Sequence, residues 1–206
     1  MNKIERELEE YRKFKKDFIF NQLELTEKDN KVYCLDLLLK DGYEETGITD
    51  KWINVGYKIH GSYPRLLSNL FPYKFEFREY TLSSIESFFQ AIKFKDPEIQ
   101  KLIFSYSRTD AVVIKDTNDR DWKEDGKLYL LGKEYIRDSK EYSDLVDEVY
   151  ISAIQNPLYR GALKNVKLPM IHAMGETDKN KTVWTRYEFE FTLNCLSAFL
   201  KSIDKF

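Results

Sequence analysis

The chain has 206 residues, 33 Lys and Arg against 35 Asp and Glu, and a net charge of −2. That length fits one domain, or one domain with an extension. The near-balanced charge excludes a global basic field of the kind that announces a nucleic-acid binder, leaving only a local patch.

Residues 3–20 form an amphipathic helix in which Ile4, Leu8, Tyr11, Phe14 and Phe18 make the apolar stripe. Its YRKFKK run reads as the solvated side of a helix packed on the core rather than as a nucleic-acid arm. The opening MNKIERELEEYRKFKKD has no apolar signal core and no run approaches a membrane span, so a cytoplasmic protein without membrane contact is expected. Cys34 and Cys195 lie far apart, in no metal or redox spacing, and read as reduced buried thiols. Only two histidines occur, His60 and His172, with no cysteine near either, so no metal site is expected.

VYCLDLLL, within Lys31 to Leu39, fits a strand or a short helix. Gly42 and Gly47 bound a loop, and WINVGYKIHG reads as a strand with Gly56 and Gly61 at turns. FEFREYT alternates and carries aromatics, the pattern of a strand leading into a helix. In that helix, SSIESFFQAIKF, the residues Ile85, Phe88, Phe89 and Ile92 recur at i, i+3, i+4 and i+7, a buried stripe. Glu86, Gln90 and Lys93 recur at i, i+4 and i+7 and fall within about 60° of one another on another face. An acid, an amide and an amine converge there. The plainer account of the acid is a capping box, Ser83-x-x-Glu86.

Asp96-Pro97 opens a helix to about Tyr106, and residues 108–121 are a polar loop or a short helix and loop. LYLLGKEY is a hairpin or strand around Gly132. Ser139 caps a long helix that stops at Asn156-Pro157, and a short helix follows near Tyr159–Leu163. GETDKNK is a loop. Thr185-x-x-Glu188 is a second capping box opening a terminal helix that buries Phe189, Leu193, Leu196 and Leu200. The fold class is α+β, mainly helical with a few short strands. A helical extension over 1–52 packs on a catalytic domain over 53–206.

Lys93 is the first candidate for chemistry. An ammonium beside an apolar helix face is desolvated, which favours the neutral amine, and a neutral amine can attack an aldehyde-level carbon. Glu86 suits the acid/base partner that protonates a leaving group. Gln90 orients rather than reacts, because an amide does not exchange protons usefully at neutral pH. Asn69, before Pro72, fits either an Asx-turn or a contact to sugar or base. His60, Gly61, Ser62 and Arg65 could hold a phosphate. Trp122 fits a stacking plate or a core residue.

The order Ser68-Asn69-Leu70-Phe71-Pro72, a hairpin-like spacer, then Ser84, Glu86, Phe88, Phe89, Gln90, Ala91, Lys93 and Phe94 resembles the NADAR, or YbiA-like, family. The likeness extends through NPLYRGALKN and IHAMGETDKNKTVWTRYEF, roughly residues 53–200. The family pattern ends its late loop in tryptophan-glycine, whereas Trp184 here precedes a threonine. The resemblance implies an N-glycosidase without a cofactor. Its catalytic residues would be Lys93 as Schiff-base amine, Glu86 as acid/base and a late-loop acid, Asp178 in preference to Glu176. Its ligand contacts would be Asn69, Gln90, Trp122, Arg65 and Ser68. His172 shares that late motif without an assigned role.

Within that family the wording stands closer to enzymes that remove ADP-ribose from guanine in nucleic acid, antitoxins paired with an ADP-ribosyltransferase toxin. The alternatives are hydrolysis of riboflavin-pathway intermediates, with a ribose-phosphate small molecule as partner, and a non-catalytic module that binds ADP-ribose or another nucleotide.

Overall fold

The helix predicted at the start of the chain forms and runs further than its apolar stripe indicates, over Lys3–Asp29 (α1). The computed structural model describes residues 2–29, 52–56, 62–106 and 122–203. The readings at Lys31 to Leu39, Gly42 to Gly47, Cys34, His60, Gly61 and 108–121 lie outside these residues.

The chain is α+β and mainly helical. After α1 come β1 (Ile53–Asn54), α2 (Ser62–Leu66), β2 (Phe75–Phe77), β3 (Tyr80–Leu82), α3 (Ile85–Ala91) and α4 (Pro97–Ser105). Then follow α5 (Trp122–Asp125), β4 (Lys127–Leu130), β5 (Lys133–Ile136), α6 (Lys140–Ala153), α7 (Pro157–Asn165), β6 (Met170–Ile171) and α8 (Arg186–Ile203). Among the described residues the strands form three separate pairs: β1 with β6 in parallel, β2 with β3 and β4 with β5 antiparallel.

FEFREYT is therefore a hairpin and not one strand. The chain reverses at Arg78, whose φ of +55° breaks the extended run. The β4–β5 turn is a two-residue one. Leu131 and Gly132 both have positive φ, +49° and +86°, as the type I′ hairpin requires.

Helix starts follow their caps. Asp96, Ser139 and Asn156 accept from backbone N–H groups of α4, α6 and α7. At α8, Thr185 N donates to Glu188 Oε2 at 2.7 Å and Glu188 N to Thr185 Oγ1 at 3.3 Å, so that capping box forms. The box expected at α3 does not. Ser84, not Ser83, is the N-cap, accepting from Ser87 N at 3.1 Å. The Ser83 hydroxyl instead donates to Tyr106 O.

One apolar core joins these elements. Tyr150, Val149 and Val146 of α6, Leu196 and Leu200 of α8, and the α3 stripe Ile85, Phe88, Phe89 and Ile92 are all buried in it. The α1 stripe closes one side: Tyr11 is buried, and Ile4, Leu8, Phe14 and Phe18 pack on the core. Tyr11 and Phe14 meet Phe199 at centroid distances of 5.5 and 5.7 Å. Lys15 pairs with Asp147 of α6 at 2.6 Å, and Arg160 pairs with Glu7 at 2.7 Å. Cys195 is buried, and burial pushes its thiol up to about 12.

Candidate active site

The N-terminus of α3 is tied to the loop before it, because Glu86 N donates to the carbonyl of Asn69 at 2.9 Å. With Ser84 as the cap, the Glu86 carboxylate is released from capping. Its Oε1 accepts from Gln90 Nε2 at 2.6 Å, and Gln90 Oε1 accepts from Lys93 Nζ at 2.8 Å. The three side chains expected on one helical face thus form a continuous hydrogen-bonded chain. The helix itself is shorter than its pattern: it ends at Ala91, and Lys93 lies one residue past the C-cap Ile92, in a turn closed by Lys93 N to Gln90 O.

This chain walls a cleft of about 250 Å3, together with Ser68, Asn69, Phe89 and the late segment from His172 to Phe189. Tyr150 OH donates to Asn69 Oδ1 at 3.0 Å. Burial pushes the Tyr150 phenol well above its ordinary range, so it remains a donor. Trp184 closes one side, stacked on Phe89 with centroids 5.9 Å apart. Larger grooves, such as one of about 550 Å3 beside α8, have mainly apolar walls.

The late segment enters the cleft through a turn in which Gly175 N donates to His172 O at 2.9 Å. His172 is held on several sides. Its backbone N donates to Glu190 Oε1 at 2.6 Å, its Nδ1 lies 2.6 Å from Val55 O, and its ring meets Phe189 edge-on. A carbonyl only accepts, so Nδ1 carries the proton. Burial pulls the imidazole pKa below its ordinary value, which favours the neutral ring. Arg186 lies beside it, its Nε on Glu190 Oε1 at 2.8 Å.

Of the residues expected at the site, Ser68, Asn69, Glu86, Gln90 and Lys93 line the cleft, and Arg65, Trp122 and Asp178 do not. Arg65 is exposed on α2. Trp122 is a core residue, with the Lys93 ammonium 6.0 Å from its ring centroid; the tryptophan on the cleft is Trp184. Asp178 serves its own loop. Its Oδ1 accepts from Asn180 N, which, ahead of Lys181, holds its carboxyl below the usual range, so it is a poor proton donor. Glu176 is the late-loop acid at the cleft mouth. No local pattern assigns His172 a role, since the group that orients it is the carbonyl of Val55, 117 residues away.

The bacteriophage protein GP30.3 family model matches residues 62–198, and the chain belongs to that family. No curated protein and no solved structure matches the chain. The family match overturns the resemblance to NADAR or YbiA-like proteins, and the N-glycosidase, ADP-ribosylation-reversal and antitoxin designations that came with it lose their ground. The physical source of that resemblance is visible. Phe88, Phe89, Ala91 and Phe94, half of the matched pattern after the spacer, are buried core positions that packing alone makes apolar. Among the described residues no helix is long and apolar enough to cross a membrane.

Proposed function

We propose that this member of the GP30.3 family is a hydrolase that cleaves the bond between C1 of a small ribosyl compound and its leaving group. Geometry supports the paired acid and amine; the ribosyl substrate class is what the test below decides. The carrying observation is the Glu86–Gln90–Lys93 chain, linked at 2.6 and 2.8 Å, on the wall of a cleft. Gln90 offers its amide nitrogen to the acid and its amide oxygen to the amine, so both functional groups are fixed relative to one another.

The Lys93 amine bonds to C1 while the bond to the leaving group breaks. The electron pair of that bond goes to the leaving atom, which takes a proton from Glu86. The ring oxygen then takes a proton from the Lys93 nitrogen as the C1–O bond opens, leaving a protonated imine. Water addition to that carbon releases the sugar and returns the amine. Asn69, with Oδ1 pinned by Tyr150, turns its amide nitrogen to a sugar hydroxyl.

The cleft volume of about 250 Å3 lies below the ~300–1,000 Å3 usual for drug-sized ligands, which suits one sugar with the leaving group at the mouth. A chain charge of −2 and the acidic Glu176 at the mouth favour a small molecule over a polynucleotide.

The test is incubation with ribosyl compounds that differ in leaving group, including a nucleoside monophosphate and a 1-amino ribose phosphate, with chromatography for free sugar. Borohydride added during turnover should trap a sugar on Lys93, read by peptide mass spectrometry. Lys93→Ala and Lys93→Arg should both lose turnover, because a guanidinium is never a free amine. Glu86→Gln should lower the rate about 10²–10⁴-fold. Turnover should persist in EDTA. Full activity in Lys93→Arg, or ligand binding with no sugar released from any compound, would overturn the proposal; the second outcome leaves a binding pocket.

A further inference from the structure

We infer that His172 is the proton acceptor that activates water in this cleft, for the step that releases the sugar from Lys93. The inference rests on the hydrolase reading above. Three observations carry it. The ring is fixed by Nδ1–H to the Val55 carbonyl at 2.6 Å and by its backbone N to Glu190, so one tautomer is selected. The ring lies over Gly175, where an added Cβ would come within 2.6 Å of Cδ2, so the glycine keeps the space the ring occupies. With Nδ1 engaged, Nε2 carries the lone pair; it has no hydrogen-bond partner among the described residues, and the ring lines the cleft.

The step balances. Water adds to the imine carbon and gives one proton to Nε2. The imidazolium passes that proton to the Lys93 nitrogen. The hydroxyl proton goes to the Glu86 carboxylate as the carbon–nitrogen electron pair returns to Lys93. The sugar leaves as an aldehyde and Glu86 is again an acid. The charged groups that act on the ring are Glu190 and Arg186 of α8 and Glu86 of α3; burial outweighs the two carboxylates and favours the neutral form.

The test uses His172→Asn in the full chain, because the Asn amide nitrogen can still donate to Val55 O while no base remains. The probe is a 1-amino ribose phosphate, with borohydride trapping over time. The adduct should form in the variant and decay about 10²–10⁴-fold more slowly than in the parent, so trapped protein accumulates. The acid limb of the decay rate should vanish. Should His172→Asn fail to fold, His172→Gln with the same trapping replaces it. In 15N-histidine spectra, the His172 signals should show protonated Nδ1 and bare Nε2 at pH 7. An adduct that decays at the parental rate, or an imidazolium at pH 7, overturns the inference while leaving Lys93 chemistry intact. Absence of any adduct in the parent chain overturns the hydrolase reading and this inference with it.

Discussion

Gly175→Ala tests how tightly the late segment is seated. The added Cβ would lie 2.6 Å from His172 Cδ2, 2.8 Å from Arg186 Cβ and 3.1 Å from His172 O. Carbon atoms rest at about 3.5–4.0 Å, so about 1 Å of clearance must be found. Neither neighbour yields cheaply. His172 is held by Val55 O and Glu190, and Arg186 by Glu190 and by its own N–H on Glu176 O at 2.8 Å. Overpacking of this kind costs about 1–3 kcal/mol. At this chain length each kcal/mol moves Tm by about 2–4 °C, so a fall of about 2–12 °C is expected. Gly161→Ala is the control. Gly161 lies inside α7, nothing stands within 4 Å of its Cβ position, and Ala there should raise stability by up to about 1 kcal/mol. Calorimetry or a circular-dichroism melt reads both. A Gly175→Ala chain that melts with the parent and keeps the His172 spectrum would refute the reasoning.

The Lys15–Asp147 pair should show the asymmetry of a buried ion pair. Burial raises the Asp147 carboxyl despite the pull of Lys15, so Lys15→Met should cost about 3–5 kcal/mol in urea unfolding, less at acid pH where the carboxyl is protonated. The double variant with Asp147→Leu should recover most of that loss; a double variant no better than the single contradicts this account. Ser84→Ala should cost about 1 kcal/mol, whereas Glu86→Gln should leave stability within about 0.5 kcal/mol, because the carboxylate does not cap α3. The reverse ranking would restore Ser83-x-x-Glu86 as the cap.

What was legible in the sequence is local. Asp96-Pro97, Ser139 and Asn156-Pro157 start or stop helices through contacts two or three residues away, and the α1 and α6 stripes follow from the helical period. Two adjacent serines defeated the same logic at α3. Either could cap, and the choice fell to Ser84 because Ser83 is drawn to Tyr106, 23 residues on. The Glu86–Gln90–Lys93 face was readable because the three are helical neighbours. The late side of the cleft was not. Choosing Glu176 over Asp178, or Trp184 over Trp122, depends on how a loop folds back upon α3, and spacing holds no record of that.

The β1–β6 pair consists of two residue pairs joining Ile53 to Met170 and Asn54 to Ile171. So brief a ladder closes a loop of more than a hundred residues, an entropic cost that local contacts do not repay early in folding. Burial of Ile53, Val55 and Met170 in the core, not the ladder itself, holds the pair together. Through it, Val55 O and Asn54 Oδ1 reach His172 and Ala173 together. The family match begins at residue 62, so the strand that orients the imidazole lies outside it. A chain trimmed to the matched boundary would retain Glu86, Gln90 and Lys93, and Glu190 against the His172 backbone, but lose the carbonyl that holds Nδ1–H.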